Sequence, residues 1–449
     1  MLKKFLKYAL SNVMGMLALS CYILVDTYFI SVALGADGLT ALNLAIPVYS
    51  FVHGLGLLLG VGGGTKYAVL LGEGKKKNAQ ALFARMLRIT ACIAVALALL
   101  GALGAGMITR WMQADPQVFG MTKIYIQVIL LFAPGFMLND MLNCFVRNDG
   151  APSLAMGAML LSSFSNIVLD YIFMFPLGMG MLGAVLATGL ASLLGAALLM
   201  SHLIKKTTML SVKAKPCKVL EALQTLPLGV SALVGEVSSG VVMIVFNSLI
   251  MGLAGNTGVA AYGVIANLSL VVLAVYSGLA QGAQPLISHA HGAGSSKNMK
   301  RVLRYEMIAA VLASAAVAGV MLLFARQIVQ IFNNEQNQPL QQMAETGLKL
   351  YFSGALFAGC NIVLSAFFAA AEQEKPAQII SSLRGFVLIL PMAFLLAAAF
   401  GMQGVWLSFP ATEGIVAALA VMLYFRQKLR IVLDRDVHAV HLHALVRAD

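Results

Sequence analysis

The sequence predicts an all-α integral membrane protein of twelve transmembrane helices, arranged as two homologous six-helix lobes. Three observations predict it. The 449 residues are 60% hydrophobic and only 11% charged, against roughly 25% charged in soluble domains. Apolar stretches of about 20 residues recur along the whole chain, each long enough to cross a bilayer as a helix. Short motifs recur in the same order in both halves at a nearly constant offset. The apolar runs are continuous and do not alternate with period two, which excludes a β-barrel.

Taken in order, the spans are expected over 9–33, 41–70, 83–107, 119–146, 153–175 and 181–204, then 222–254, 259–290, 302–325, 344–371, 376–400 and 403–425. The start, "MLKKFLKYALSNVMGMLALSC", imitates a lipoprotein signal, but its apolar run continues past Cys21 to Ala33, long enough to span. The connections test the count. About 26 of the 30 Lys and Arg fall at the N-terminus, in even-numbered loops such as "GEGKKKN" and "RNDG", and in the tail, and about 4 fall in the odd-numbered loops. By the positive-inside rule both termini are cytoplasmic, in a plasma (inner) membrane protein. The net charge of +12 therefore serves topology, and no nucleic-acid partner is expected. The five cysteines are scattered without CxxC or zinc spacing.

The repeat is visible in three pairs: "GADGLTAL" (35–42) with "GNTGVAAY" (255–262), "GEGKKKN" (72–78) with "GAGSSKN" (292–298), and "MLGAVLA" (181–187) with "MQGVWLS" (402–408), at offsets of 220, 220 and 221. An even number of spans per half gives both halves the same orientation, related by an axis along the membrane normal. The expected division is an N-terminal lobe over 1–204, a cytoplasmic linker over 205–221, a C-terminal lobe over 222–427 and a cytoplasmic tail over 428–449.

Charge inside a bilayer costs on the order of 2.5–3.5 kcal/mol at a helix centre, so intramembrane acids mark function. Asp26 in span 1 and Asp170 in span 5 lie in the outer halves of their spans, with no Lys or Arg at matching depth in the first lobe. Two such carboxylates share protons or bind a cation, because both cannot ionise cheaply. Asn166, one turn before Asp170, adds a carbonyl oxygen, and Thr188 in span 6 adds a hydroxyl. The set is a hard oxygen site suited to H⁺ or Na⁺ and poor for zinc. At offset 220 Asp26 corresponds to Phe246, and near offset 224, set by Pro152 and Pro376, Asp170 corresponds to Phe394, so the site is confined to one lobe. Glu236 in span 7 faces the central cavity, where it would attract a cationic substrate, or it is paired with a polar neighbour. Glu413 reads as lobe packing, and His53 as a packed histidine in a Gly-rich span. "GVGGG" (60–64) lacks the P-loop context and reads as a close-packing segment. The 25 methionines suit an adaptable apolar cavity. No nucleophile–base pair or metal set lies at one depth, so an enzyme is not expected, and no cofactor beyond the coupling ion.

The stretches "LVDTYFISVALGADGLTALNLAIPV", "RNDGAPSLAM", "NIVLDYIFMFPLGMGMLGAVLAT", "GAQPLISHAHGA" and "GVWLSFP", in this order within a duplicated twelve-span frame, resemble the multidrug and toxic-compound extrusion (MATE) family, prokaryotic branch. The resemblance covers nearly the whole chain. It implies a V-shaped pair of lobes and export of cationic, amphipathic compounds in exchange for H⁺ or Na⁺ by alternating access, by a monomer in the lipid bilayer. Within that resemblance, Asp26, Asn166, Asp170 and Thr188 match the cation-coupling residues of N-lobe-coupled members. Tyr22 matches a tyrosine found one turn before that first-span Asp, and Glu236 the span-7 Glu of C-lobe-coupled members. The chain departs from the family at Ser11, where many members carry a proline. The alternative within the superfamily is a lipid-linked precursor flippase, which calls for a cationic cavity that the few mid-membrane basic residues do not supply.

Overall fold

The computed structural model describes residues 1–205, 208–333 and 336–446, with 427–446 described as helix only. The expected linker and tail therefore lie partly outside the described residues, at 206–207 and 447–449. In chain order the helices are α1 (Leu2–Gly72), α2 (Lys76–Trp111), α3 (Pro116–Leu131), α4 (Ala133–Asn148), α5 (Pro152–Met174), α6 (Gly180–Met200) and the short α7 (Val219–Leu223). They continue as α8 (Val230–Gly292), α9 (Ser296–Leu323), α10 (Ala325–Phe332), α11 (Gln338–Phe352), α12 (Ala355–Ala370), α13 (Glu374–Ser382) and α14 (Ile389–Val446).

Three of these are too long for one crossing. At 1.5 Å per residue, α1 would extend about 106 Å through a hydrocarbon core of about 30 Å. It is folded back at Gly35, whose φ of 64° and ψ of −150° leave the helical region. The fold-back is required by the Tyr22 and Tyr49 hydroxyls, which meet at 2.8 Å, whereas 27 residues of straight helix would part them by about 40 Å. Gly255 does the same for α8 (φ 58°, ψ −153°) and Gly401 for α14 (φ 58°, ψ −136°). This backbone region is open essentially to glycine alone. Two further spans are bent pairs: α3 with α4 at 50°, and α11 with α12 at 44°. Pro134 explains the first bend, since it has no N–H to give and its ring crowds the preceding turn. Seven helices are long and apolar enough to cross, the bent pairs bring nine, and the three glycine reversals make twelve spans.

The span limits differ from expectation in instructive ways. The expected loops between spans 1 and 2 and between 7 and 8 shrink to a single non-helical glycine each. Span 7 begins at Val230 rather than 222, because α7 and a 3-10 turn over Leu226–Leu228 precede it. The last span runs on as helix to Val446. At Ser11, α1 is regular helix, as the missing proline requires.

The duplication is written in the backbone. Left-handed residues pair across the halves as Gly35 with Gly255, Gly74 with Gly294, Gln113 with Gln336, Gly150 with Glu372 and Gly180 with Gly401, and only Gly178 is without a counterpart among the described residues. The two lobes meet through α1 and α8. A methyl on Gly278 would stand 2.6 Å from Val13 Cα, one on Gly282 2.7 Å from Ala9 Cα, and one on Gly62 2.7 Å from the Thr225 carbonyl oxygen. Gly72 and Gly292 press on the backbone of His289 and Val69, and Gly229 on that of Leu58. All six lie in the membrane half that carries both termini and the basic loops, called the basic face below. Hydrogen bonds between lobes gather there too, Arg147 Nη1 to Gln281 Oε1 at 2.9 Å and Gln284 Nε2 to Thr65 Oγ1 at 2.9 Å among them. The molecule is a V closed at the basic face and opening toward the opposite one.

Candidate cation site in the N-terminal lobe

Asp26 lies nine residues before the Gly35 reversal of α1, and Asp170 one turn before the end of α5, on the buried face that also carries Ser163, Asn166 and Met174. Asp26 is 7% exposed and Asp170 fully buried. The two carboxyls face each other closely enough for a hydrogen bond. That bond exists only when one of them holds a proton, since ionised carboxylates are acceptors alone. Without it, Asp26 Oδ1, both Asp170 oxygens and Asn166 Oδ1 are buried acceptors with no donor. Four orphaned oxygens in one pocket, with no lysine or arginine paired to them among the described residues, match the chemistry of a proton or a small hard cation.

Thr188 stands behind this set. Its hydroxyl accepts from Asn166 Nδ2 at 3.1 Å and donates to the Ala184 carbonyl at 3.1 Å. That fixes the Asn166 amide through its nitrogen, leaves Oδ1 without a donor and leaves the hydroxyl itself engaged. Tyr22 bonds Tyr49 rather than Asp26. Two tyrosines missed in the sequence complete the wall: Tyr49, and Tyr125 on α3, buried near Asp26 and Asp170. Only the fold-back of α1 and the bend before α4 bring them there, so no local pattern announces them.

The second lobe is filled instead. Phe246 is buried where Asp26 stands and stacks on Tyr262 at 5.5 Å. Phe394, however, does not correspond to Asp170. The left-handed pair Gly150 and Glu372 starts that span in register 222, and a π-turn over Leu383–Val387 adds one residue, so that the buried series Ile389, Ala393, Ala397 repeats Asn166, Asp170, Met174 at 223. Ala393 holds the Asp170 place, and Phe394 points outward, 54% exposed.

Two polar residues of the expected loop "RNDG" are instead tied into the interior. Arg147, in the expected loop "RNDG", is 1% exposed at the end of α4 and donates to Asn12 and Gln281. Asp149 beside it accepts from Tyr67 at 2.6 Å and from Thr208 at 2.7 Å, and pairs with His202 at 2.8 Å. Glu413 is held inside the second lobe by Arg384, whose Nε reaches its two oxygens at 2.9 and 2.8 Å, and by Asn361 at 2.7 Å. Glu236 lies between the lobes, partly accessible, beside Gly54.

Two like-oriented six-span lobes, with buried unpaired carboxylates in one of them, have the architecture of a secondary transporter built from parallel repeats. The chain belongs to the MATE family: the family model described as MatE matches residues 12–172 and 232–395. It is 26% identical over 438 residues to the multidrug export protein MepA of Staphylococcus saprophyticus, covering 96% of this chain and 95% of that one. With MepA of Staphylococcus aureus it shares 29% over 442 residues at the same coverage. Among solved structures, a MATE protein in complex with MaL6 superposes with a TM-score of 0.90 at 23% identity, over 96% of this chain and 97% of that chain. An outward-facing multidrug resistance MATE transporter of the MOP superfamily gives 0.90 at 22%, over 96% of each.

Proposed function

We propose that the protein is a secondary antiporter that exports cationic amphipathic compounds in exchange for H⁺ or Na⁺, with its basic face in the cytoplasm and its coupling site in the lobe over 1–204. The observation that carries the coupling is the set of four buried oxygens on Asp26, Asn166 and Asp170 that lack any donor. A cation arriving from the open side satisfies them and cancels the repulsion between the carboxylates. With the pair neutralised, spans 1, 5 and 6 repack and bias the lobes. The bias exists because the two conformations bind the cation with different affinity. The multidrug export activity in the names of the MepA relatives supports the choice of substrate. So do the carboxylate of Glu236 in the cavity and the engagement of Arg147 and Arg384 with internal partners, which leaves neither free to hold an anionic head group.

Ethidium efflux from proteoliposomes under imposed pH or Na⁺ gradients tests the reading and names the ion. Wild type accelerates efflux under one of the gradients. Asp26→Asn, present at equal amount, loses that acceleration. Full gradient-driven efflux by the variant would refute the coupling site.

A further inference from the structure

At the base of the V a second polar cluster joins the lobes. His53 is followed in α1 by two glycines, Gly54 and Gly56, which face different neighbours. Gly54 faces α8, where a methyl would stand 2.6 Å from Leu233 Cδ1 and 3.6 Å from Glu236 Cβ. Gly56 faces α4, where a methyl would stand 2.8 Å from Asp140 Oδ2. The bare backbone on either side lets an acid from each lobe approach the imidazole. His53 Nδ1 pairs with Asp140 Oδ2 at 2.8 Å, as an ion pair off the line of a good hydrogen bond, and Nε2 is buried without a partner. Glu236 is within electrostatic reach of both His53 and Asp140. No lysine or arginine pairs with either acid among the described residues. Two aromatic rings flank the imidazole, Tyr49 at 4.5 Å and Phe136 at 5.2 Å between centroids. The His53 and Asp140 side chains keep 16% and 13% of their surface accessible. Tyr49 is also the residue that bonds Tyr22, so the cluster touches the wall of the N-lobe site.

We propose that His53, Asp140 and Glu236 form an exchange site at the lobe seam, where an organic cation displaces a proton from the imidazole. With His53 protonated, two carboxylates and one imidazolium leave a net charge of about −1. A cation seated against Glu236 and the ring of Tyr49 gains carboxylate and cation–π attraction but repels the imidazolium. The proton on Nε2, which no protein group holds, passes to water in the cavity, while Nδ1 keeps its hydrogen toward Asp140. The net charge is again about −1, so the exchange needs no uncompensated buried charge.

The inference rests on the reading of the protein as an exporter of organic cations, and the experiment separates the two. Tetraphenylphosphonium carries a fixed charge and no proton. It is added to purified protein in weakly buffered detergent, and binding and proton release are followed together. The background is Asp26→Asn with Asp170→Asn, so that protons from the N-lobe pair cannot contribute. Release of up to one proton per bound cation is expected in that background, with loss of release but retained binding when His53→Gln is added. His53→Asn is the second variant should His53→Gln fail to fold. Glu236→Gln is expected to weaken binding about tenfold, the effect of a desolvated charge pair of some 1.4 kcal/mol. Binding with no His53-dependent release overturns the exchange site and leaves the export reading standing. No binding by wild type overturns both.

Discussion

The candidate site divides into residues that present oxygens and residues that hold them. Thr188 belongs to the second kind, because its hydroxyl is spent on Asn166 and on the Ala184 carbonyl. Thr188→Val therefore loosens the Asn166 amide without removing a carboxylate. The expected result is a several-fold weaker dependence on the coupling ion, on the scale of one hydrogen bond of about 1 kcal/mol, with maximal efflux retained. Measuring initial efflux rate against driving-ion concentration checks it, and a loss as deep as that of Asp26→Asn would make Thr188 a direct ligand. In the other lobe, Arg384→Met strands Glu413, which is 3% exposed, as an unpaired buried charge. The expected loss is about 3–5 kcal/mol of stability, read by thermal unfolding in detergent, and most of it should return in the double variant with Glu413→Gln. Asp26, Asn166 and Asp170 were legible in the sequence because acids are rare in apolar spans. Tyr49, Tyr125, His53 and Asp140 were not, because their meaning arises from spans distant in sequence, and Tyr or His alone in a span is unremarkable.

At the scale of elements, the pattern of apolar runs placed every span, but not its ends. A hydropathy reading assigns the small polar residues of "GADG" and "GNTG" to loops, whereas the helix continues on both sides of one glycine. Backbone dihedral freedom, not polarity, decides these boundaries. Gly35, Gly255 and Gly401 have open space where a side chain would go, so substitution there isolates the backbone cost. Gly255→Ala is expected to cost about 1–3 kcal/mol through the unfavourable dihedrals alone. Gly278→Ala, with helical dihedrals but backbone atoms of Val13 at 2.6 Å, should instead separate α1 from α8 and leave each lobe's internal packing intact. Thermal unfolding distinguishes them when paired with a distance measurement between lobes: the first variant is less stable at unchanged lobe spacing, the second has altered spacing. The π-turn in the second lobe is a further element-scale feature that sequence offset could not reveal. The span starts in register 222, where Glu372 pairs with Gly150, and one inserted residue makes it 223, so Ala393 rather than Phe394 falls in the Asp170 place.

At the scale of the whole molecule, the two lobes are alike in backbone and unlike in charge: the first buries a pair of unpaired acids, the second an arginine–glutamate pair and one lone acid, Glu306. Their closure at the basic face is partly electrostatic. Glu372 of the second lobe accepts from Lys66 Nζ of the first at 2.7 Å, with His291 at 3.6 Å. His291 and Lys66 hold the Glu372 carboxyl below its ordinary range, against the opposing effect of burial. A depressed carboxyl stabilises the closed form above the ordinary glutamate value of about 4.3 and ceases to do so as pH falls through the lowered one. The Glu372 carboxyl itself stays ionised between about pH 6 and 8 and adds no pH dependence of its own in that window. With Lys66 35% and Glu372 25% accessible, solvent screening limits the pair to about 1 kcal/mol or less. The check is the distance distribution between spin labels at Lys76→Cys and Lys297→Cys, on exposed helix starts of the two lobes at the basic face, with the native cysteines replaced. Glu372→Gln should raise the open fraction up to about fivefold at neutral pH. The difference from wild type should vanish as pH falls through the lowered Glu372 value. Superimposable distributions at neutral pH would show that the glycine contacts of α1 and α8 and the remaining hydrogen bonds between the lobes close this face without Glu372.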